Sequence, residues 1–130
     1  MEKIIVGAGT YTDVVDIVAP SSAAAGETVS VTIKIKNIHS ASVYVAAVGV
    51  YDSEVRFIDW LMAWISPGAT KSFSGSFVMP NKNVTIHGYS YYQDIDGYWR
   101  YDDEMSKNVT LQALPSPEFS GFAVNDYSTI

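Results

Sequence analysis

The segment Glu27–Ile38, ETVSVTIKIKNI, alternates without a break. Val29, Val31, Ile33 and Ile35 fall on one side, and Thr28, Ser30, Thr32, Lys34 and Lys36 on the other. A helix cannot bury that pattern on one face, whereas a strand with one buried and one wet face does so directly. Comparable segments recur along the chain. Ser42–Tyr51 and Thr70–Met79 read as strands, the latter with Phe73 and Phe77 on one face. Val84–Gln93 is a tyrosine-rich strand, Tyr98–Tyr101 continues it beyond a turn, and Lys107–Ala113 is the last alternating segment. Val55–Ile65 is apolar on both faces; its length and content favour a strand over a helical turn. Turn chemistry separates these runs at Pro20–Gly26, Ser66–Ala69, Pro80–Asn83 and Asp96-Gly97.

Seven or eight short strands with regular turns and no helix predict an all-β, immunoglobulin-like antiparallel β-sandwich. The Cys…Trp…Cys pattern of antibody domains is missing, because the chain has no cysteine. At 130 residues it is expected to form one domain with a core of its own. The division expected is an N-terminal arm (1–11), a sandwich (12–113) and a C-terminal arm (114–130) that begins near Pro115 and Pro117.

The opening stretch Ile4-Ile5-Val6-Gly7-Ala8-Gly9 imitates the start of a dinucleotide-binding fold. The fingerprint fails at its third glycine, which is Thr12, and no helix follows to hold a pyrophosphate. Instead a β-branched run leads to Pro20, with Val14, Asp16 and Val18 expected on one side and Asp13, Val15 and Ile17 on the other. The glycines are expected to let the chain bend between an arm and the first strand.

Charge narrows the partners. The net charge is −6, and the eight Lys and Arg residues are scattered. A nucleic-acid binder needs a basic stripe, so nucleic acid is not expected. No apolar run approaches the roughly 18 residues that span a membrane, and no membrane partner is expected. The N-terminus shows no basic region followed by an apolar core and a small-residue cleavage site, so export by that route is not expected.

The stretches AGETVSVTIKIKNI, ISPGATKSFSGSFVMP and VTIHGYSYYQDIDGYWRYDDEMSKNVTL resemble the CARDB-type, cell-adhesion-related Ig-like domains. The likeness spans about residues 17–112 and rests on strand and turn signals, which mark a fold rather than an activity. It implies a non-enzymatic module of surface or extracellular assemblies. Similar single domains without export signals resemble virion proteins of tailed phages. Family members usually stand in tandem behind a signal peptide, whereas a single domain between two arms is expected here.

Several residue groups are candidates for chemistry. Asp94, Asp96, Asp102, Asp103 and Glu104 form an acidic cluster around a hairpin. They are weak Ca²⁺ candidates, since placing Gly97 at the sixth position of an EF-hand loop puts Tyr92 at the first. A solvated turn accounts for them more simply, and no other cofactor is expected. His39 and His87 have no nucleophile motif near them and read as surface and sheet residues. Trp60, Met62 and Trp64 would share one strand face with Arg56 and Ile58, as core packing, a subunit interface or an aromatic platform for sugars. Tyr89, Tyr91, Tyr92, Tyr98, Trp99 and Tyr101 flank the acidic hairpin, either as cross-strand stacking or as a glycan- or partner-binding tip. Asn83-Val-Thr85 and Asn108-Val-Thr110 match the N-glycosylation pattern but also suit plain strands.

The function expected is that of a non-enzymatic assembly protein, favoured as a capsid-associated, decoration or tail component of a virus particle. It would form a homo-oligomer or bind other structural proteins. The expected contacts are Trp60, Met62 and Trp64, with Phe119, Phe122 and Tyr127 of the C-terminal arm. Deleting 115–130 is expected to leave a folded domain that no longer assembles. The alternative is a carbohydrate- or cell-surface-binding adhesion module.

Overall fold

The computed structural model describes residues 9–52 and 55–113. They form eight strands and no helix: β1 (Thr12–Val18), β2 (Ser22–Ala23), β3 (Thr28–Asn37), β4 (Val43–Tyr51), β5 (Val55–Ile65), β6 (Thr70–Val78), β7 (Val84–Gln93) and β8 (Trp99–Leu111). One sheet has the order β1-β3-β6 and the other β2-β8-β7-β4-β5. This is the expected Ig-like sandwich. All pairings are antiparallel except the two-residue parallel contact of β2 with β8.

The alternating side of β3 is the centre of the core. Val29, Val31, Ile33 and Ile35 are all buried, facing Val45, Ile58, Ile86 and Val109 of the opposite sheet. Each such aliphatic side chain removed from water contributes about 1.5–3 kcal/mol, so this seam dominates the stability of the domain.

Three sequence expectations change. In β1 a bulge between Val14 and Asp16 inserts Val15 as an extra residue, so the side-chain parity flips. Val14 and Ile17 are buried together, rather than Val14 with Asp16 and Val18. The expected turn Pro20–Gly26 contains β2, which crosses to the other sheet and pairs with Thr110 and Leu111. The segments Tyr98–Tyr101 and Lys107–Ala113 belong to one strand, β8, running through the acidic residues with a bulge opposite Ser90 and Tyr91.

Asn37, at the end of β3, closes the sandwich. Its side chain is fully buried and donates to the carbonyls of Ala41 (2.9 Å) and Ile65 (2.8 Å), while its Oδ1 accepts from His39 N (2.7 Å). Its backbone bonds Ala69 and Gly68, and Gly68 takes a φ of 77° that suits glycine. The K-N ending and the P-G turn of the sequence are therefore halves of one hydrogen-bonded corner.

Candidate functional site

Among the described residues strand β5 is an edge of the larger sheet, and two irregularities set which side chains it turns outward. Between Ala47 and Gly49 of β4 the partner moves from Leu61 to Ile58, so β5 carries one residue extra. Trp60 takes up that slack with a φ of 56°, a backbone region that costs a bulky residue about 1–2 kcal/mol. A second shift beside Gly49 sets Arg56 opposite Val50. Trp60, Met62, Trp64 and Arg56 thus lie on the outer face, as grouped from the sequence, but Ile58 does not: it is 1% exposed, within the core.

The neighbouring strands continue this outer face. The register places Tyr44, Ala46, Val48 and Val50 of β4 beside Tyr91, Tyr89 and His87 of β7, which face Tyr101, Glu104 and Ser106 of β8. Ala46 and Val48 are smaller than the flanking rings and are buried beneath them. Rings touch in an unbroken series. Centroids are 5.0 Å apart for Trp64 and Tyr44, 5.4 Å for Tyr44 and Trp99, and 5.2 Å for Trp99 and Trp60. The series continues through Trp60 and Tyr91 (4.8 Å), Tyr91 and Tyr101 (6.0 Å), and Tyr101 and Tyr89 (6.4 Å), reaching His87. These spacings allow tilted and edge-on packing, which rigidifies the face. It nonetheless stays open to solvent: Trp64 is 61% exposed, Met62 49% and Tyr101 53%.

Two acidic groups border this face: exposed Asp59, which pairs with Arg56 at 2.9 Å, and Glu104. Glu104 accepts from the Tyr101 hydroxyl at 2.5 Å. Burial, and then the Glu104 hydrogen bond and charge, push the Tyr101 phenol well above its ordinary pKa. The other carboxylates have separate tasks. Asp94 shapes the 94–98 turn, accepting from Asp96 N (3.0 Å) and Tyr98 N (2.9 Å) on Oδ1 and from Arg100 Nε (2.9 Å) on Oδ2. The Arg100 hydrogen bond, aided by those backbone donors, holds its pKa below the ordinary carboxylate value. Asp102 accepts from three successive backbone amides, Thr10, Tyr11 and Thr12. Asp103 is buried and accepts from Val14 N at 2.8 Å. Among the described residues no three His, Cys, Asp or Glu side chains are grouped so as to hold a metal ion. The five Ca²⁺ candidates are therefore not brought together.

Sequence reasoning missed the use made of Gly9. The amides after Gly9 form a small anion-binding nest, and its anion is the protein's own Asp102. Nothing local signals this, since the partner lies 90 or more residues away in the chain. His39 is exposed and packs edge-on to Tyr11 at 4.7 Å, and His87 stacks on Tyr89 at 6.3 Å. The two N-glycosylation-pattern sites meet across β7 and β8, where Thr85 Oγ1 donates to Asn108 Oδ1 at 2.9 Å. Phe119, Phe122 and Tyr127 lie outside the described residues.

Residues 12–114 match the CARDB family. No curated protein sequence matches significantly. Among solved structures, one similar chain comes from the complex formed between zinc 2-glycoprotein and prolactin inducible protein of human seminal plasma. It is 9% identical with a TM-score of 0.61, covering 84% of this chain and 100% of that one, a likeness of fold alone. The sporulation control protein Spo0M of Bacillus subtilis is 16% identical with a TM-score of 0.48, covering 84% of this chain and 51% of its own. A Niemann-Pick type C2 protein from the Japanese carpenter ant is 11% identical with a TM-score of 0.45, covering 82% of this chain and 94% of that chain.

Proposed function

The chain belongs to the CARDB family, and from that premise we propose that it is a non-enzymatic assembly domain that docks a second copy of itself through its outer aromatic face. The observation that carries this reading is the continuous ring series from Trp64 to His87 with exposed Met62 beside it. Interface cores are enriched in Trp, Tyr, Met and Arg and depleted in Lys and Asp. The rings, Met62 and Arg56 of this face fit that composition, and a contiguous exposed apolar patch marks an interaction site. The stacked rings are already ordered, so docking costs little side-chain entropy.

In the same proposal Phe119, Phe122 and Tyr127 make a second contact with the neighbouring subunit. The setting favoured is a virus particle, as a capsid-associated, decoration or tail component, with the cell surface as the alternative. The test is the mass in solution by light scattering across a concentration series. Wild type is expected to associate, and Met62→Glu with Trp64→Glu to stay folded and monomeric. A wild-type protein that is monomeric throughout the series overturns the second copy as occupant. Genes for capsid, portal or tail proteins beside this one would support the particle setting.

A further inference from the structure

A cleft of about 420 Å³ opens at the end of the sandwich where the turn at residues 38–42 meets the turn at 94–98. Its size lies within the roughly 300–1,000 Å³ of small-molecule sites. Two ring clusters line it. Tyr11 packs on Tyr92 at 4.3 Å and on His39 at 4.7 Å, while Tyr44 packs on Trp64 at 5.0 Å. Polar groups sit between them, chiefly Gln93, Asp94 and Ser42.

We propose that this cleft is a binding site for a neutral oligosaccharide. A sugar ring offers apolar C–H faces and a rim of hydroxyl groups. It therefore needs an open aromatic face and uncharged donors and acceptors at the edge. Trp64, 61% exposed, supplies the open face. Gln93 gives one amide hydrogen to Gly97 O at 3.3 Å, which leaves its second N–H and its carbonyl for a hydroxyl pair. Ser42 adds an exposed hydroxyl.

The state of Asp94 selects this ligand over a cation held in an aromatic cage. Both of its oxygens are engaged, and Arg100 neutralises it at 2.9 Å. A cage for a quaternary ammonium group gains from an uncompensated negative charge, which Asp94 does not offer here. Tyr44 and Trp64 belong to both surfaces, so a saccharide and a second copy would compete for Trp64.

The experiment titrates the full chain with maltohexaose, cellopentaose, chitohexaose and, separately, choline chloride, followed by tryptophan fluorescence and calorimetry. At least one saccharide is expected to bind. Trp64→Ala and Gln93→Ala should each weaken it about tenfold or more, because each removes a stacking face or a hydrogen-bonding pair. Met62→Glu, outside the cleft, should bind at least as tightly as wild type, because preventing association leaves Trp64 uncovered. Near-UV circular dichroism checks that each variant is folded, and Gln93→Ala stands if Trp64→Ala is not. The proposal is overturned if none of the three saccharides binds, if choline binds in their place, or if the folded cleft variants bind like wild type.

Discussion

Asp102 lies so close to Gly9 that a Cβ on Gly9 would sit 2.5 Å from the Asp102 carboxyl carbon and 2.7 Å from its carbonyl oxygen. That approach lets the carboxylate receive the amides of Thr10 (2.8 Å), Tyr11 (3.1 Å) and Thr12 (2.7 Å) and the Thr12 hydroxyl (2.5 Å). Gly9→Ala should destabilise the domain by about 1–3 kcal/mol, through forced displacement of the segment. Asp102→Asn should cost about 1.5–3 kcal/mol, since hydrogen bonds to a charged acceptor are lost. Urea denaturation of both single variants and the double should give a sum clearly larger than the double-variant loss, as the two changes break one contact. Full additivity would show that they act separately.

Asn37→Ala should be among the most damaging single polar changes. It strands two carbonyls, Ala41 O and Ile65 O, in a corner where Asn37 itself is fully buried. The expected loss is about 1–3 kcal/mol per stranded buried group, read as a lower urea midpoint at unchanged slope. Thr32→Ala, which breaks the exposed hydroxyl pair with Ser74, should change the midpoint far less.

Alkaline pH should unfold the domain through its outer face. Burial raises the pKa of Tyr101 and Tyr89 on that face, and of Tyr92 on the opposite side of β7, above 10.0, with Glu104 adding to the first two. The folded state thus holds these protons more tightly than the unfolded chain. Their stabilisation is complete below the unfolded pKa of 10.0 and declines as pH rises above it toward the folded values. Urea midpoints measured on both sides of that value should fall on the alkaline side, and Tyr101→Phe should flatten the fall. An unchanged slope in Tyr101→Phe would remove Tyr101 from the explanation.

Acid should loosen the 94–98 turn. Arg100, with the Tyr98 and Asp96 amides, depresses the Asp94 pKa below 3.8. The contribution is present above that unfolded value and is lost as pH falls through the lower folded one. Protection of the Asp96 and Tyr98 amides relative to their intrinsic exchange rates should fall in that window, and Asp94→Asn should lower it already at neutral pH. Protection that survives the substitution would contradict the assignment.

The strands were legible where one face is buried and the other wet. In β3 every second residue is apolar, so period and burial coincide. The pattern misled where a bulge changes parity. Nothing about Val15 or Trp60 marks an inserted residue, and a tryptophan is a poor candidate for positive φ, so the inward turn of Ile58 was hidden. The grouping of Trp60, Met62 and Trp64 was readable because the register is unbroken from Leu61 onward. The acidic residues are neighbours in sequence, but proximity in sequence says nothing of direction. Alternation and a bulge send Asp102 and Asp103 toward β1 and Glu104 toward Tyr101. The cleft draws on four separate parts of the chain, and no local pattern announces it.

The short parallel contact of β2 with β8 bears on how the domain carries load. Its bonds, Thr110 N to Ser21 O and Gln112 N to Ala23 O, join the first strands to the last. Lys107 Nζ to Ala19 O (2.9 Å) lies in the same seam, as do the Asp102 and Asp103 bonds to the Thr10–Val14 backbone. When two parallel strands are pulled from opposite ends, their bonds are sheared together instead of unzipping one at a time. Tension entering at one end of the domain and leaving at the other would meet this whole seam at once, making the domain a stiff link in any chain of subunits.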